Sequence, residues 1–222
     1  MIIQNWKNLF FLHFSIEPTA LKACLPGEIE IDLYNNKAYL AIVGFEMQHI
    51  RFKKFPFLHY PSFFELNLRT YIKLPDGRAA IYFFSLDANS KLSVIIAQKL
   101  FKLPYQYYNI EYAIHHQSGN MRSFEQERIV NDIHFTISVE QANDPLAFFL
   151  LERYHFMTKQ KGSFYVGSLT HVPYAAVRLK SYHFKTHLFE RFSINEKEIA
   201  LESNGCYYCP GFDVTVTDFY QI

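Results

Sequence analysis

Pro75-Asp76-Gly77 constrains this chain most, because two β-rich runs flank it. Proline presets φ, aspartate can bond nearby backbone and glycine takes positive φ, so the tripeptide predicts a tight turn. A three-residue hairpin loop with a glycine bulge pairs Leu74 with Arg78. Counting back, Arg69 faces Phe83, Asn67 faces Ser85 and Glu65 faces Asp87. A shorter turn would move these partners but not the alternation of faces. One face carries Phe64, Leu66, Leu68, Thr70 and Ile72. The other carries Phe63, Glu65, Asn67, Arg69 and Tyr71, beside Ile81, Phe83, Ser85 and Asp87. Apolar walls with a few placed polar groups suit a cavity. The plain alternative is a sheet face half covered by a loop, with Glu65 and Arg69 as surface charges.

Two helices carry a base inside an apolar arc. Asn89 or Ser90 caps a helix over 90–102, where Leu92, Ile95, Ile96, Leu100 and Leu103 share one arc around Lys99. Lys99 either snorkels outward or meets an acid, with Glu65 and Asp87 as candidates. Asn143-Asp144-Pro145 opens a second helix over 145–157, with Leu146, Phe149, Leu150, Tyr154 and Met157 around Arg153. Arginine stays charged, so a buried Arg153 needs an acid or carbonyls. Both bases are expected to be largely buried.

The rest of the chain reads as strands. These are Asn8–Ile16, Glu28–Leu33, Lys37–Ile50, Tyr107–His116, Met121–Ile129, Ile133–Val139, Phe164–Leu169, Ala175–Phe184 and Phe212–Phe219. Pro18–Leu25 is a short helix, and Arg51–Pro61 is a basic-aromatic loop that reads as ordinary exposed surface. Consecutive strands with hairpin-length turns imply antiparallel pairing. The expected fold is α+β and β-dominated: one domain over 1–222, an antiparallel curved sheet or partly closed barrel with two longer helices packed on it.

At 50% hydrophobic and 18% aromatic, the 222 residues can wall a wide, stiff interior. A net charge of +1 favours no nucleic-acid partner. Cys24, Cys206 and Cys209 are an odd number and suit a reducing compartment. Cys206-Tyr207-Tyr208-Cys209 has C-x-x-C spacing but no second ligand pair, so no metal is expected. Polar residues interrupt the N-terminal stretch, and no apolar run reaches spanning length. The expectation is a cytoplasmic protein with a small-molecule ligand, no cofactor and no membrane partner, and with homo-oligomerisation left open.

A set of stretches resembles the YqjF-like family of uncharacterised bacterial proteins (domain of unknown function 2071). They include Leu12-His13-Phe14, Leu25-Pro26, Gly44-Phe45, Glu152-Arg153-Tyr154, His171-Val172-Pro173-Tyr174 and Pro210-Gly211. Phe64 to Tyr71, Tyr82 to Ala88 and Leu103-Pro104-Tyr105 also match, and the specific parts are Glu65 to Tyr71 and Phe83 to Ala88. More distantly the chain resembles acetoacetate decarboxylase-like proteins, which implies an antiparallel, barrel-like sheet around a deep apolar cavity. Their decarboxylases carry Gly-Phe-Pro-Lys-Lys, whose first lysine forms a Schiff base. The matching stretch here is Lys102-Leu103-Pro104-Tyr105-Gln106, so Tyr105 stands in place of the nucleophile and Gln106 in place of the second lysine. Glu65 resembles that family's acid on an earlier strand.

Three readings follow. The favoured one is a binding cavity for an apolar compound bearing a carboxylate or carbonyl. Arg69 serves as clamp, Glu65, Asn67 and Tyr105 orient the ligand, and Ser85, Lys99, Arg153 and His171 complete the candidate set. The second is an enzyme using Glu65 or Tyr105 as acid/base on a carbonyl or enol, with Lys99 as a displaced Schiff-base lysine in a minor variant. The third is a structural or interaction module. Schiff-base decarboxylation is not expected.

Overall fold

Residues 9–16 are buried without a break, so both sides of the strand they form are covered, whereas residues 2–8 of the same strand are mostly half-buried. The structure is a computed structural model that describes residues 1–53 and 55–222, without the side chains at 55, 56, 58, 59 and 100. Leu100 of the expected arc and Lys54 of the basic-aromatic loop therefore lie outside the description. The first half runs β1 (Ile2–Ile16), α1 (Pro18–Ala23), β2 (Glu30–Ile31), β3 (Ala38–Phe52), β4 (Phe55–Tyr60), β5 (Phe63–Lys73), β6 (Ala79–Ala88) and α2 (Lys91–Phe101). Next come β7 (Tyr105–Tyr107), β8 (Asn109–His115), β9 (Ser118–Glu125), β10 (Arg128–Gln141) and α3 (Pro145–Leu151). The chain ends with β11 (His155–Gln160), β12 (Ser163–Thr170), β13 (Val177–Thr186), α4 (Leu188–Arg191) and β14 (Ile199–Gln221).

The main sheet runs β1-β3-β5-β6-β11-β12-β14, and β14 pairs back onto β1 from Ile2↔Val216 to Ile16↔Ile199. The pairings thus form a closed circuit with an inner face. Tyr39, Ala41, Val43, Phe45, Tyr71, Leu86 and Val214 pack inside it. The sheet continues from β14 through β13, β10, β9 and β8, and this extension covers the outer face of β1, β3 and β5. Phe10, Leu12, Ile42, Leu66 and Leu68 meet Met121, Ile133 and Phe135 there. The fold is β-dominated and curved, as expected, but not wholly antiparallel: β6–β11 and β6–β7 are parallel pairs.

The central hairpin has the expected loop. Leu74 N–H donates to the Arg78 carbonyl at 2.9 Å, and Gly77 takes φ +85°. Arg69 pairs with Phe83 as counted. Beyond it the register corrects the count, because Leu68 pairs with Ser85 and leaves Phe84 without a partner. This bulge places Leu86 opposite Asn67 and Ala88 opposite Glu65, and it turns Ser85 and Asp87 to the outer face. There Asp87 is fully buried and receives Arg191 from α4 at 2.7 Å.

Several elements differ from expectation in extent. The strand expected over Glu28–Leu33 is only β2, and the basic-aromatic loop contains β4. The tail strand expected over Phe212–Phe219 begins at Ile199. Asp144 caps α3 by accepting from Leu146 N–H and Ala147 N–H, but the helix stops at Leu151 instead of 157. His155–Gln160 pairs as a strand instead, with Phe156 inside the circuit and Met157 outside it. Period two won over period 3.6 in a run where both fit.

Arg153 is buried just beyond α3. Its guanidinium meets Asp32 at 2.6 Å and the Phe149 carbonyl at 2.8 Å. The arginine is thus a structural tie, and removing it strands a mostly buried carboxylate. Arg153→Met is expected to cost on the order of 3 kcal/mol in denaturant unfolding, and Arg153→Met with Asp32→Leu much less. A single variant as stable as the wild type would refute the tie.

Candidate functional site

The inner face of the circuit encloses a cavity of about 140 Å³. Strand alternation sets its lining, and two bulges keep that lining in phase. In β1, Asn8 at φ +54° switches the inward set from Ile2, Gln4 and Trp6 to Leu9, Phe11 and His13. In β3, His49 at φ +50° switches it from Phe45 and Met47 to Ile50 and Phe52. Opposite Lys7, next to this bulge, β14 carries Gly211 at φ +134°, where a Cβ would sit 2.2 Å from the Trp6 carbonyl oxygen. Only glycine permits this approach.

From β5, three polar side chains enter this apolar chamber at alternate positions: Glu65, Asn67 and Arg69. Tyr105 of β7 donates to Glu65 Oε2 at 2.5 Å, and Asn67 Nδ2 donates to Oε1 at 3.0 Å. Both carboxylate oxygens thus have donors, yet burial lifts the Glu65 pKa to about 7 against those hydrogen bonds and the Arg69 charge. Burial, and then the Glu65 charge, push the Tyr105 phenol well above its ordinary range.

Arg69 is only 5% exposed, and its Nε and Nη2 have no partner in the protein. Among the described residues no carboxylate lies within ion-pair distance of it. Its guanidinium carbon lies 5.5 Å from the centre of the Phe11 ring. The amide oxygen of Asn67 is likewise buried without a partner. An arginine cannot escape this setting by losing its proton, so the fork is a preformed, unfilled donor pair.

Below Arg69 lies a rigid layer. His13 is fully buried, with Nδ1 against the Gly205 carbonyl and Nε2 at 2.7 Å from the Tyr71 hydroxyl. A carbonyl can only accept, so Nδ1 carries the proton and the Tyr71 hydroxyl donates to Nε2. Burial lowers the His13 pKa to about 3, and the Arg69 charge adds to the effect, so the ring is neutral.

Glu65, Asn67, Arg69 and Tyr105 come together as expected, and the other candidates do not. Lys99 is exposed, because α2 turns Ser93, Ile96, Ala97 and Phe101 toward the cavity; of the expected arc Ile96 and Leu103 line it, while Leu92 and Ile95 face outward with Lys99. Ser85 lies on the outer face, turned there by the bulge at Phe84. Arg153 is held by Asp32, outside the lining. His171 stacks on Tyr154 and Phe212 behind the wall, its Nδ1 bonded to the Val172 carbonyl at 2.6 Å. The wall residues Trp6, Phe11 and Phe156 were missed. Phe156 was hidden by a helical reading, whereas Phe11 already showed as part of an apolar strand.

Cys206 and Cys209 point to opposite faces of β14, one into each core, as an i, i+3 pair on a strand must. They can neither form a disulfide with each other nor share a metal. Burial lifts their thiols to about 12 and about 11. No cluster of metal-ligating side chains occurs among the described residues. Nor is any helix among them long and apolar enough to cross a membrane.

The fold has solved counterparts. An acetoacetate decarboxylase from Legionella pneumophila superposes with a TM-score of 0.70 at 9% identity, over 98% of this chain and 88% of the other. The enduracididine biosynthesis enzyme MppR, complexed with pyruvate, gives 0.69 at 10% identity over 100% and 90%. At these identities the likeness shows the fold, which is acetoacetate decarboxylase-like. In sequence the chain is 32% identical over 181 residues to the uncharacterized protein YqjF of Bacillus subtilis (strain 168), covering 77% of this chain and 73% of that protein. Residues 3–213 match the model of domain of unknown function 2071, described as an uncharacterized conserved protein, and the chain belongs to that family.

Proposed function

We propose that this protein binds a small apolar compound through its carboxylate, with the carboxylate on Arg69 and the apolar body against the aromatic wall. The carrying observation is the Arg69 fork, buried with Nε and Nη2 unpartnered inside an apolar cavity. A buried unpaired charge costs stability, so its presence calls for an anion that arrives from outside. Two parallel N–H groups match a carboxylate. The structural neighbour solved with pyruvate holds a compound of that class.

A second reading has its own observation. Glu65 has a pKa near 7 and shares a short hydrogen bond with Tyr105, which suits proton transfer to or from a bound carbonyl or enol. Imine chemistry has no such support, since no lysine is among the lining residues and Lys99 is exposed. Borohydride added with acetoacetate is expected to leave the intact mass unchanged. A stoichiometric adduct on any lysine would reverse this.

Arg69→Met separates a functional arginine from a structural one. The variant should keep or raise the denaturant midpoint, because it removes an unpaired buried charge. Hexanoate and phenylacetate should bind it about 30- to 100-fold more weakly than they bind the wild type, while their amides are little affected. Trp6 is the single tryptophan and lines the cavity, so its fluorescence reports the titration. A variant that collapses, or one that still prefers the acid over the amide, counts against the reading.

Glu65 makes a pH prediction with a definite sign. Its folded pKa of about 7 lies above the ordinary 4.5, so between those values the folded state holds the extra proton. That contribution is present at low pH and is lost as pH rises through about 7. The stability of the wild type relative to Glu65→Gln should therefore fall by on the order of 2–3 kcal/mol across this window. A difference that stays flat with pH would show Glu65 to be ionised throughout.

A further inference from the structure

Two stretches that contribute residues to the cavity lining are charged unlike the rest of the chain. Phe52 and Tyr60 line the cavity from the β3–β4 side, and Ser93 and Phe101 line it from α2. In sequence, Met47 to Phe64 and Ala88 to Ile110 together hold six of the 22 basic residues and none of the 21 acidic ones. The remainder has 16 bases against 21 acids, a net charge of −5. The near-neutral total therefore hides two basic stretches of sequence, one of which contains α2.

Helix α2, within the second of these stretches, also exposes apolar side chains. With one face of α2 lining the cavity, the opposite face presents Leu92, 52% exposed, and Ile95, 48% exposed. Exposed Lys91 and Lys99 share this outer face. Apolar residues ringed by lysines, without a carboxylate among them, are the pattern of a helix that lies in the interface of an anionic bilayer. A nucleic acid would use the lysines and leave Leu92 and Ile95 unexplained.

We infer that the α2 rim of the cavity docks on membrane surfaces bearing anionic lipid. Leu92 and Ile95 enter the headgroup boundary, while Lys91 and Lys99 meet lipid phosphates and carboxylates. This extends the reading of the cavity as a site for apolar acids, compounds that themselves partition into bilayers, and it gives the mouth a source and a sink for them. It replaces the expectation that the protein has no membrane partner. The contact is peripheral and needs no spanning segment.

The test is sedimentation of ligand-free, full-length protein with vesicles, so its failure leaves the Arg69 reading standing. Vesicles of phosphatidylcholine containing about one-third phosphatidylserine should carry the wild type down, and pure phosphatidylcholine should not. Lys91→Glu with Lys99→Glu should weaken binding at least tenfold, as should Leu92→Ser with Ile95→Ser. All four positions are exposed, and a wild-type melting curve confirms that each variant is folded. The inference is overturned if the wild type stays in solution with anionic vesicles, or binds neutral ones equally. It is also overturned if the Leu92/Ile95 variant binds as the wild type does, which would leave only a general affinity for polyanions.

Discussion

The pairing of β14 with β1 is the interaction on which the rest depends. Without it the sheet would be an open ribbon, and the inward face of β5 would be wetted. With it, Glu65, Asn67 and Arg69 stand inside a ring of strands, where each polar atom must find a partner or wait for one. Glu65 finds two donors, whereas Arg69 keeps two N–H groups without acceptors. Closure also explains the bulges. A strand that lines a closed wall must bend, and each extra residue bends it while reversing which side chains face in. Asn8 in β1 and Gly211, which pairs with the neighbouring Lys7 from β14, both take positive φ at this bend.

The layer beneath Arg69 is built to stay still. A neutral His13 bonded to Gly205 on one side and Tyr71 on the other commits the hydroxyl proton to His13, so toward the Arg69 guanidinium the Tyr71 oxygen can act only as an acceptor. Arg153 packs against the far face of Tyr71, 5.2 Å from its ring centre, and is itself fixed by Asp32. Two arginines thus flank one tyrosine with opposite roles. The one with an acid is structure, and the one without an acid is the candidate site.

Much of this was legible because strand alternation is the most robust signal in a sequence. The placement of Glu65, Asn67 and Arg69 on one face with Phe63 and Tyr71 needed only period two, and the loop at Gly77 needed only turn chemistry. The cross-strand partners Ser85 and Asp87 were not legible, because the bulge at Phe84 is dictated by wall curvature and has no local residue signature. The two helical wheels failed for different reasons. Near Met157 the same residues fit a strand, and pairing with β6 and β12 decided between the two. In α2 the helix was real, but its apolar residues run almost all round. The arc that faces inward includes the small Ala97 and the large Phe101, both of which line the cavity. Lys99 followed the helix outward, and Leu92 and Ile95 went with it.

The shared fold and the missing lysine belong to one electrostatic argument. A Schiff-base amine must be neutral to attack, which a chamber arranges by desolvating it or by setting a second cation beside it. In this chamber the cation is Arg69, two positions along the same face from Asn67 and four from Glu65, and no amine shares it. Tyr105 occupies the position where the resemblance would place the nucleophile, and it spends its proton on Glu65. A phenol held well above its ordinary pKa cannot serve as an anion, but it can keep a buried carboxyl in place. With Glu65 protonated the chamber carries one positive charge, and with Glu65 ionised it carries none. An anion entering the cavity meets its strongest attraction in the first state, in which the Arg69 charge is uncompensated.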